Sequence, residues 1–243
     1  MNETIETMHA HRSIRRFETT PIPDEHIHAC VRAGQAAATS SAVQAYSILR
    51  VTDPGARAEI AQLAGPQEKI ERCGAFFIIC ADTRRHELLC ARRGVPYEPT
   101  FEKFLVAIID ATLFAQNMTL ALESLGYGTC YIGGIRNDLP RLDRTLELPR
   151  GVHPLYGLCA GVKAQDPIAR PRLPVGSILH TDRYADDETI LASIDEYDAR
   201  YAAYLEQRGA DPAAWSGAMA DTLSQRTRDD VGAFYADKGA HLH

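Results

Sequence analysis

The segment that most constrains how this chain can fold is residues 101–125. It contains neither glycine nor proline, and Phe101, Phe104, Leu105, Ile108, Ile109, Thr112 and Leu113 spread apolar character around much of a helical circumference. A helix apolar on so many sides has to be covered, in the core or in a subunit interface. Gly126 and Gly128 end it, and the β-prone run Thr129-Cys130-Tyr131-Ile132 follows, closed by Gly133-Gly134.

The remaining elements fall around this helix. Acidic residues follow a proline at Pro23-Asp24-Glu25, and Ile27, Cys30, Val31 and Gly34 then recur at helical spacing. Residues 46–51 read as a strand bounded by Asp53-Pro54-Gly55, and residues 56–63 as a short helix. Residues 74–81 form a nearly continuous apolar run, suited to a central strand covered on both faces, and residues 154–161 read as the last strand. Residues 87–100 mix charges with Gly94, Pro96 and Pro99, the pattern of a mobile surface excursion. Beyond about residue 187 come two charged amphipathic helices, 188–207 and 213–236, which need a second surface to pack on. The expected organisation is a single domain, 1–243, with a helical extension from about 187.

Charge and cysteine usage narrow the class. Twenty-six Lys and Arg against 32 Asp and Glu give a net charge of −6, with 24% charged and 45% hydrophobic residues, so disordered, collagen-like and coiled-coil chains are excluded. No basic block dominates, which argues against nucleic-acid or membrane binding. The amino terminus has no basic-then-apolar leader pattern, and the apolar stretches around residues 75–81 and 104–109 are too short to span a bilayer, so a cytoplasmic chain is expected. Six scattered cysteines without a C-x-x-C pair read as free core thiols. The pairs His9/His11, His26/His28 and His241/His243 lack a third ligand at useful spacing and read as surface residues, with no metal site.

The chemistry-bearing residues are few. His11-Arg12-Ser13-Ile14-Arg15-Arg16-Phe17 packs three arginines, a histidine and a hydroxyl into seven residues, and such a cluster either binds a phosphate monoester or is a solvated basic turn. Arg170-Pro171-Arg172 presents the same choice. Thr39-Ser40-Ser41 offers small hydroxyls after a helix, and Gln44 and Gln67 are amides. Gly126-Tyr127-Gly128 does not complete G-x-G-x-x-G because Tyr131 takes the sixth position, and P-loop and G-x-S-x-G motifs are absent.

In this order, His11-Arg12-Ser13-Ile14-Arg15, Thr39-Ser40-Ser41 with Gln44, Gln67, Tyr131 through Asn137, and Pro171-Arg172-Leu173-Pro174 resemble the nitroreductase family, in its oxygen-insensitive, NADPH-preferring nitroreductase and flavin reductase branch. The resemblance spans nearly the whole chain, Trp215-Ser216 included. It implies an α+β fold with a central, mostly antiparallel sheet flanked by helices, and a homodimer whose carboxy-terminal tail wraps the partner. It also implies FMN at the dimer interface, with NADPH or NADH as electron donor. Two electrons would pass in a ping-pong sequence to small-molecule acceptors: nitroaromatics, quinones or free flavin. A non-catalytic FMN storage or sensor protein is the alternative.

Carried over by position, His11, Arg12, Ser13, Arg15, Arg170 and Arg172 would hold the phosphate and ribityl end, with hydroxyl contacts from Thr39 and Ser41. Gln67 would meet the polar edge of the ring, and Ile132, Gly133 and Gly134 would bring main-chain N–H groups to it. Arg208 and Arg228 would recognise NADPH. No catalytic side chain is implied, since the flavin carries the chemistry. Ala42 stands where a bulkier residue is frequent, which implies a wider substrate cavity.

Overall fold

A computed structural model describes residues 2–241, so His243 of the last histidine pair lies outside the described residues. The chain divides into two compact units, Met1–Asp166 with Arg228–His243, and Pro167–Thr227.

The first unit is built on a four-stranded sheet: β1 (Tyr46–Arg50), β2 (Ala75–Asp82), β3 (Gly128–Ile132) and β4 (Val152–Gly161), in the spatial order β1-β2-β4-β3. Every pairing is antiparallel, with Tyr46 opposite Ala81, Phe76 opposite Cys159 and Cys130 opposite Cys159 in register. All eight residues of β2 are buried, as its unbroken apolar run requires of an interior strand. The sheet is flanked by α1 (Glu3–His9), α2 (Asp24–Gln35), α3 (Pro54–Leu63), α4 (Lys69–Arg72), α5 (Arg84–Arg92), α6 (Phe101–Ser124) and α7 (Leu139–Leu146). After α8 (Asp187–Gln207) and α9 (Trp215–Leu223) of the second unit, α10 (Val231–Asp237) again belongs to the first.

The long helix α6 starts where Thr100 caps it, accepting from Lys103 N, and divides its circumference into two uses. Phe104, Ala107, Ala111, Phe114, Ala115, Met118 and Leu122 are buried, and Phe114 stacks on Tyr46 of β1 at 4.7 Å. Phe101, Leu105, Ile109 and Leu113, spaced by four, remain exposed, Ile109 to 47%. With a mean hydropathy of 1.6 over 18 residues, α6 is long and apolar enough to cross a membrane, which corrects the expectation that no stretch is. Its buried face instead packs on the sheet, and it carries a buried carboxylate, Asp110, hydrogen-bonded within the protein.

Two expectations fail for identifiable reasons. The expected excursion over residues 87–100 is cut back to residues 93–100: α5 occupies Arg84–Arg92, because the Gly and Pro residues that signal a loop all lie beyond its end while Arg-Arg-His-Glu-Leu-Leu-Cys-Ala-Arg is made largely of good helix formers. The last expected helix breaks into α9 and α10, since residues 224–230, Ser-Gln-Arg-Thr-Arg-Asp-Asp, offer no apolar side chain to bury. Arg228 sits in that break with φ 60°.

α10 is tied to the first unit by Tyr235 Oη donating to Pro154 O at 2.6 Å and by Lys238 Nζ donating to Leu148 O and pairing with Asp143, both at 2.6 Å. In the second unit, Tyr197 of α8 meets Trp215 edge to face at 5.2 Å and donates from its hydroxyl to Pro171 O at 2.9 Å, and Ser216 N donates to Asp198. The Ser216 hydroxyl, which also donates to Asp198, and the Ser216 main-chain N–H together hold the Asp198 carboxyl below its usual range. This unit leaves Val175, Ile178, Leu179, Tyr184 and Leu223 exposed, an unusual share of apolar surface for so small a body. Five of the six cysteines are buried and all are free; Cys90 is half-buried.

Candidate functional site

The basic cluster of residues 11–17 is positioned by the edge of the sheet. β3 is an edge strand, and the segment pairs with its open side: Ser13 bridges Thr129 in parallel, Ile14 N donates to Thr129 O at 2.8 Å, and Phe17 bridges Lys163. Along this segment Ile14 and Phe17 are turned into the core, while Arg15 and Arg16 between them are exposed. Gly128 makes the approach possible, since a Cβ there would lie 2.6 Å from Ile14 Cγ1.

The cations of this cluster divide by their partners. His11 Nδ1 lies 2.7 Å from Glu123 Oε1, which also accepts from Thr129 Oγ1 at 2.8 Å. Arg12 pairs through Nη1 with Asp166, while its Nε is buried without a hydrogen-bond partner. Arg16 Nε donates to Gln165 at 3.0 Å. Arg15 is different: its guanidinium makes no hydrogen bond or ion pair among the described residues. His11 and also His26, which lies 2.7 Å from Tyr127 Oη, are half-buried and bonded, so the reading of those pairs as plain surface residues is corrected for one member of each.

Lys69 on α4 joins Arg15 and escaped the sequence reading, because an isolated lysine in Lys-Ile-Glu-Arg matches no motif. Burial pushes the Cys130 thiol up, while Lys69 and Arg15, both close enough to act on it, pull the other way. Cys130 lies on β3, so these two cations converge on the sheet edge that the basic segment lines. At the end of β3 the turn Gly133–Asn137 begins. A Cβ on Gly134 would lie 2.3 Å from Ala64 O and 2.6 Å from Gln67 Nε2, so only glycine lets the Gln67 loop close on this turn. Gln67 Nε2 donates to Ala64 O at 2.7 Å, and Ile132 is buried while Gly133 and Gly134 are half-buried. Gln67, Lys69, Arg15 and Ile132 through Gly134 thus gather around β3. Arg228 joins the same turn, its Nε donating to Asn137 Oδ1 at 3.0 Å.

The other candidates lie elsewhere. Thr39 and Ser41 belong to a loop beside α6, where Ser41 lines a cavity of about 240 Å³ with Val43, Thr83, His86, Tyr97 and Val106; none of residues 11–16 lines that cavity. Arg170 and Arg172 are exposed in the second unit, with Arg172 Nη1 donating to Arg170 O at 3.3 Å. Arg208, also in the second unit, stacks on Tyr204 at 5.5 Å from the ring centre and donates to its hydroxyl. Arg208 and Arg228 therefore fall in different units. The sequence reading also passed over Asp110, although a lone carboxylate between Ile109 and Ala111 on an apolar helix signals a buried charge that must find donors.

The donor set fits an anionic cofactor with a planar polar ring. Two cations without a partner among the described residues both act on Cys130 of β3, a buried arginine nitrogen is unsatisfied, and a turn stripped of side chains follows that strand.

The nitroreductase family model matches residues 8–162, and the model of the family's carboxy-terminal domain matches residues 170–243. The chain belongs to the nitroreductase family. Among curated relatives, an FMN reductase (NADPH) of Bacillus subtilis is 40% identical over 245 residues, 98% of each chain. An oxygen-insensitive NADPH nitroreductase of Salmonella typhimurium is 37% identical over 233 residues, 94% of each. Among solved structures, the NfrA1 nitroreductase of B. subtilis superposes with a TM-score of 0.96 at 38% identity, covering 99% of this chain and 100% of that one. The NADPH:FMN oxidoreductase of Vibrio harveyi complexed with NAD+ superposes with a TM-score of 0.91 at 36% identity over the full length of both. The all-antiparallel sheet and its flanking helices are the nitroreductase fold.

Proposed function

We propose that this nitroreductase is an FMN-dependent enzyme that uses NAD(P)H, with NADPH favoured, to reduce nitroaromatics, quinones or free flavin, and that it works as a cytoplasmic homodimer. The observation that carries the reading is the convergence of Arg15 and Lys69, neither paired among the described residues, on β3, the strand that runs into the Gly133-Gly134 turn. Relatives named FMN reductase (NADPH), NADPH-flavin oxidoreductase and oxygen-insensitive NADPH nitroreductase match 94–98% of the chain and support the same chemistry.

When bound, FMN supplies the two-electron chemistry, between the nicotinamide donor and the acceptor. The protein's part is position and field. Arg15 and Lys69 hold negative charge on one side of the ring system, where partial exclusion of water strengthens each contact. Ser13 adds a neutral donor, and Arg170 and Arg172 bind phosphate, their planar guanidinium groups suited to bidentate contact. Gln67 and the main chain of Ile132, Gly133 and Gly134 orient the polar edge. His11 and Arg12, each already facing a carboxylate, act mainly by holding the segment in place. Thr39 and Ser41, which lie apart from the β3 edge within one copy, contribute hydroxyls where the second copy of the dimer closes the site. Arg208 and Arg228 read the 2′-phosphate of NADPH, Arg228 from its anchor on Asn137.

Exposed apolar surface supports the dimer. The stripe Phe101, Leu105, Ile109 and Leu113 on α6, and separately the apolar residues of the second unit, are faces that a second copy would cover.

The deciding experiment is anaerobic stopped-flow. NADPH should bleach the flavin faster than NADH, and a nitroarene, a quinone and free FMN should each restore the colour. A protein that is yellow but bleached by neither nucleotide would end this reading.

A further inference from the structure

Between the end of α2 and β1, the chain adopts a conformation that its residue types disfavour. Ser41, Ala42 and Gln44 have φ of 47°, 56° and 52°, three left-handed residues in four positions with no glycine among them. Such a backbone persists only where its surroundings over-determine it.

Four tethers do so here. Asp110, 1% exposed on the buried face of α6, receives both ends of the loop: Ser40 N donates to Oδ1 at 3.1 Å and Ala45 N to Oδ2 at 3.2 Å. Two residues of α5 hold the carbonyls: His86 Nε2 donates to Val43 O at 2.8 Å and Arg85 Nη1 to Gln44 O at 3.0 Å. The amides point to one helix and the carbonyls to another, so the loop is gripped from both sides. Asp110 makes no ion pair among the described residues, and these two amides are its hydrogen-bond donors there. A buried carboxylate whose two oxygens are each taken up by a main-chain amide of one loop has a defined task.

We propose that Asp110, Arg85 and His86 are positioning residues for Ser41, clamping the loop in the left-handed conformation from which Ser41 meets the bound flavin. This rests on the place given to Ser41 under the proposed function. Without the clamp the three residues relax toward negative φ, and Ser41 leaves its position although its own side chain is intact.

The test uses the yellow holoprotein and two readouts: the FMN dissociation constant, from free-flavin fluorescence on dilution, and hydrogen exchange in the loop of residues 39–45. Arg85 is exposed, so Arg85→Ala should fold normally. It should raise loop exchange and weaken FMN roughly three- to tenfold, the scale of one ordinary hydrogen bond. Arg85→Lys retains a donor for Gln44 O and should recover part of the loss. Asp110→Asn should be worse, since one loop amide then faces the carboxamide's own N–H. Ser41→Ala is the reference and should weaken FMN without changing loop exchange. If Ser41→Ala weakens FMN while Arg85→Ala leaves both readouts at wild type, the clamp is refuted and the role of Ser41 stands. If loop exchange rises in Arg85→Ala with FMN affinity unchanged, the clamp does not serve the flavin. If Ser41→Ala itself is silent, the role of Ser41 falls and the proposal falls with it.

Discussion

His153 should make this protein acid-labile by an amount that can be worked from its surroundings. The side chain is fully buried on β4, meets Phe104 edge to face at 5.0 Å and Tyr235 of α10 at 6.0 Å, and neither ring nitrogen is satisfied by a hydrogen bond. Burial is the main cause that lowers its pKa from 6.5 to about 4; the main chain of Ala81 and the Asp82 carboxylate oppose it, and Lys238 and Arg150 push the same way as burial. The unfolded chain therefore takes up a proton at His153 at higher pH than the folded chain does. The sign follows: the contribution is fully present above pH 6.5, falls by about 1.4 kcal/mol per pH unit between the two values, and is gone below about 4. Over the whole interval it amounts to about 3 kcal/mol, a large share of the ~5–15 kcal/mol that holds an ordinary protein folded. Urea unfolding followed by far-ultraviolet circular dichroism, at fixed excess FMN and at several pH values from 7.5 to 4.5, measures it. His153→Phe keeps the aromatic contacts and removes the titration, so the difference between variant and wild type should grow in favour of the variant as the pH falls. A difference independent of pH would refute the argument.

Other expectations are more local. Arg15→Ala should weaken FMN by about 1.5–3 kcal/mol in a fluorescence titration, and Arg12→Ala by clearly less, because Arg12 already faces Asp166. Ile109→Glu places a charge in the exposed stripe of α6 and should shift sedimentation from dimer to monomer at micromolar concentration. Gly134→Ala drives a methyl against Ala64 O and should cost about 1–3 kcal/mol of thermal stability, with displacement of Gln67 and a loss of bound flavin. Arg228→Ala should raise KM for NADPH and leave the NADH reaction near wild type, an effect that shrinks at high salt; equal loss with both nucleotides would make Arg228 structural.

Much of the first unit was legible because its elements are locally redundant. β2 reads as an interior strand from its apolar run alone, and α6 from the absence of breakers over 24 residues. The basic segment was legible as a cluster, and the ordered set of short motifs identified the family. Where local signals conflicted, the reading failed: proline and glycine beyond Arg92 masked the helix α5 before them, and good helix formers on either side hid the polar break at Arg228.

The partition between sequence and tertiary structure follows the range of the forces. Periodicity, capping and glycine placement act within a few residues, so the chain itself determined its strands and the extent of α6. Which cations stay free was decided only by folding. The four basic side chains His11, Arg12, Arg15 and Arg16 look alike in sequence, yet Glu123 and Asp166 take His11 and Arg12, while Arg15 is left open and Lys69 of α4 acts on the same strand residue, Cys130. Asp110 and the loop it grips are 65 or more residues apart in sequence and meet at hydrogen-bond distance. Electrostatic and hydrogen-bond pairing depends on separation in space, and that separation exists only once the sheet and α6 have packed.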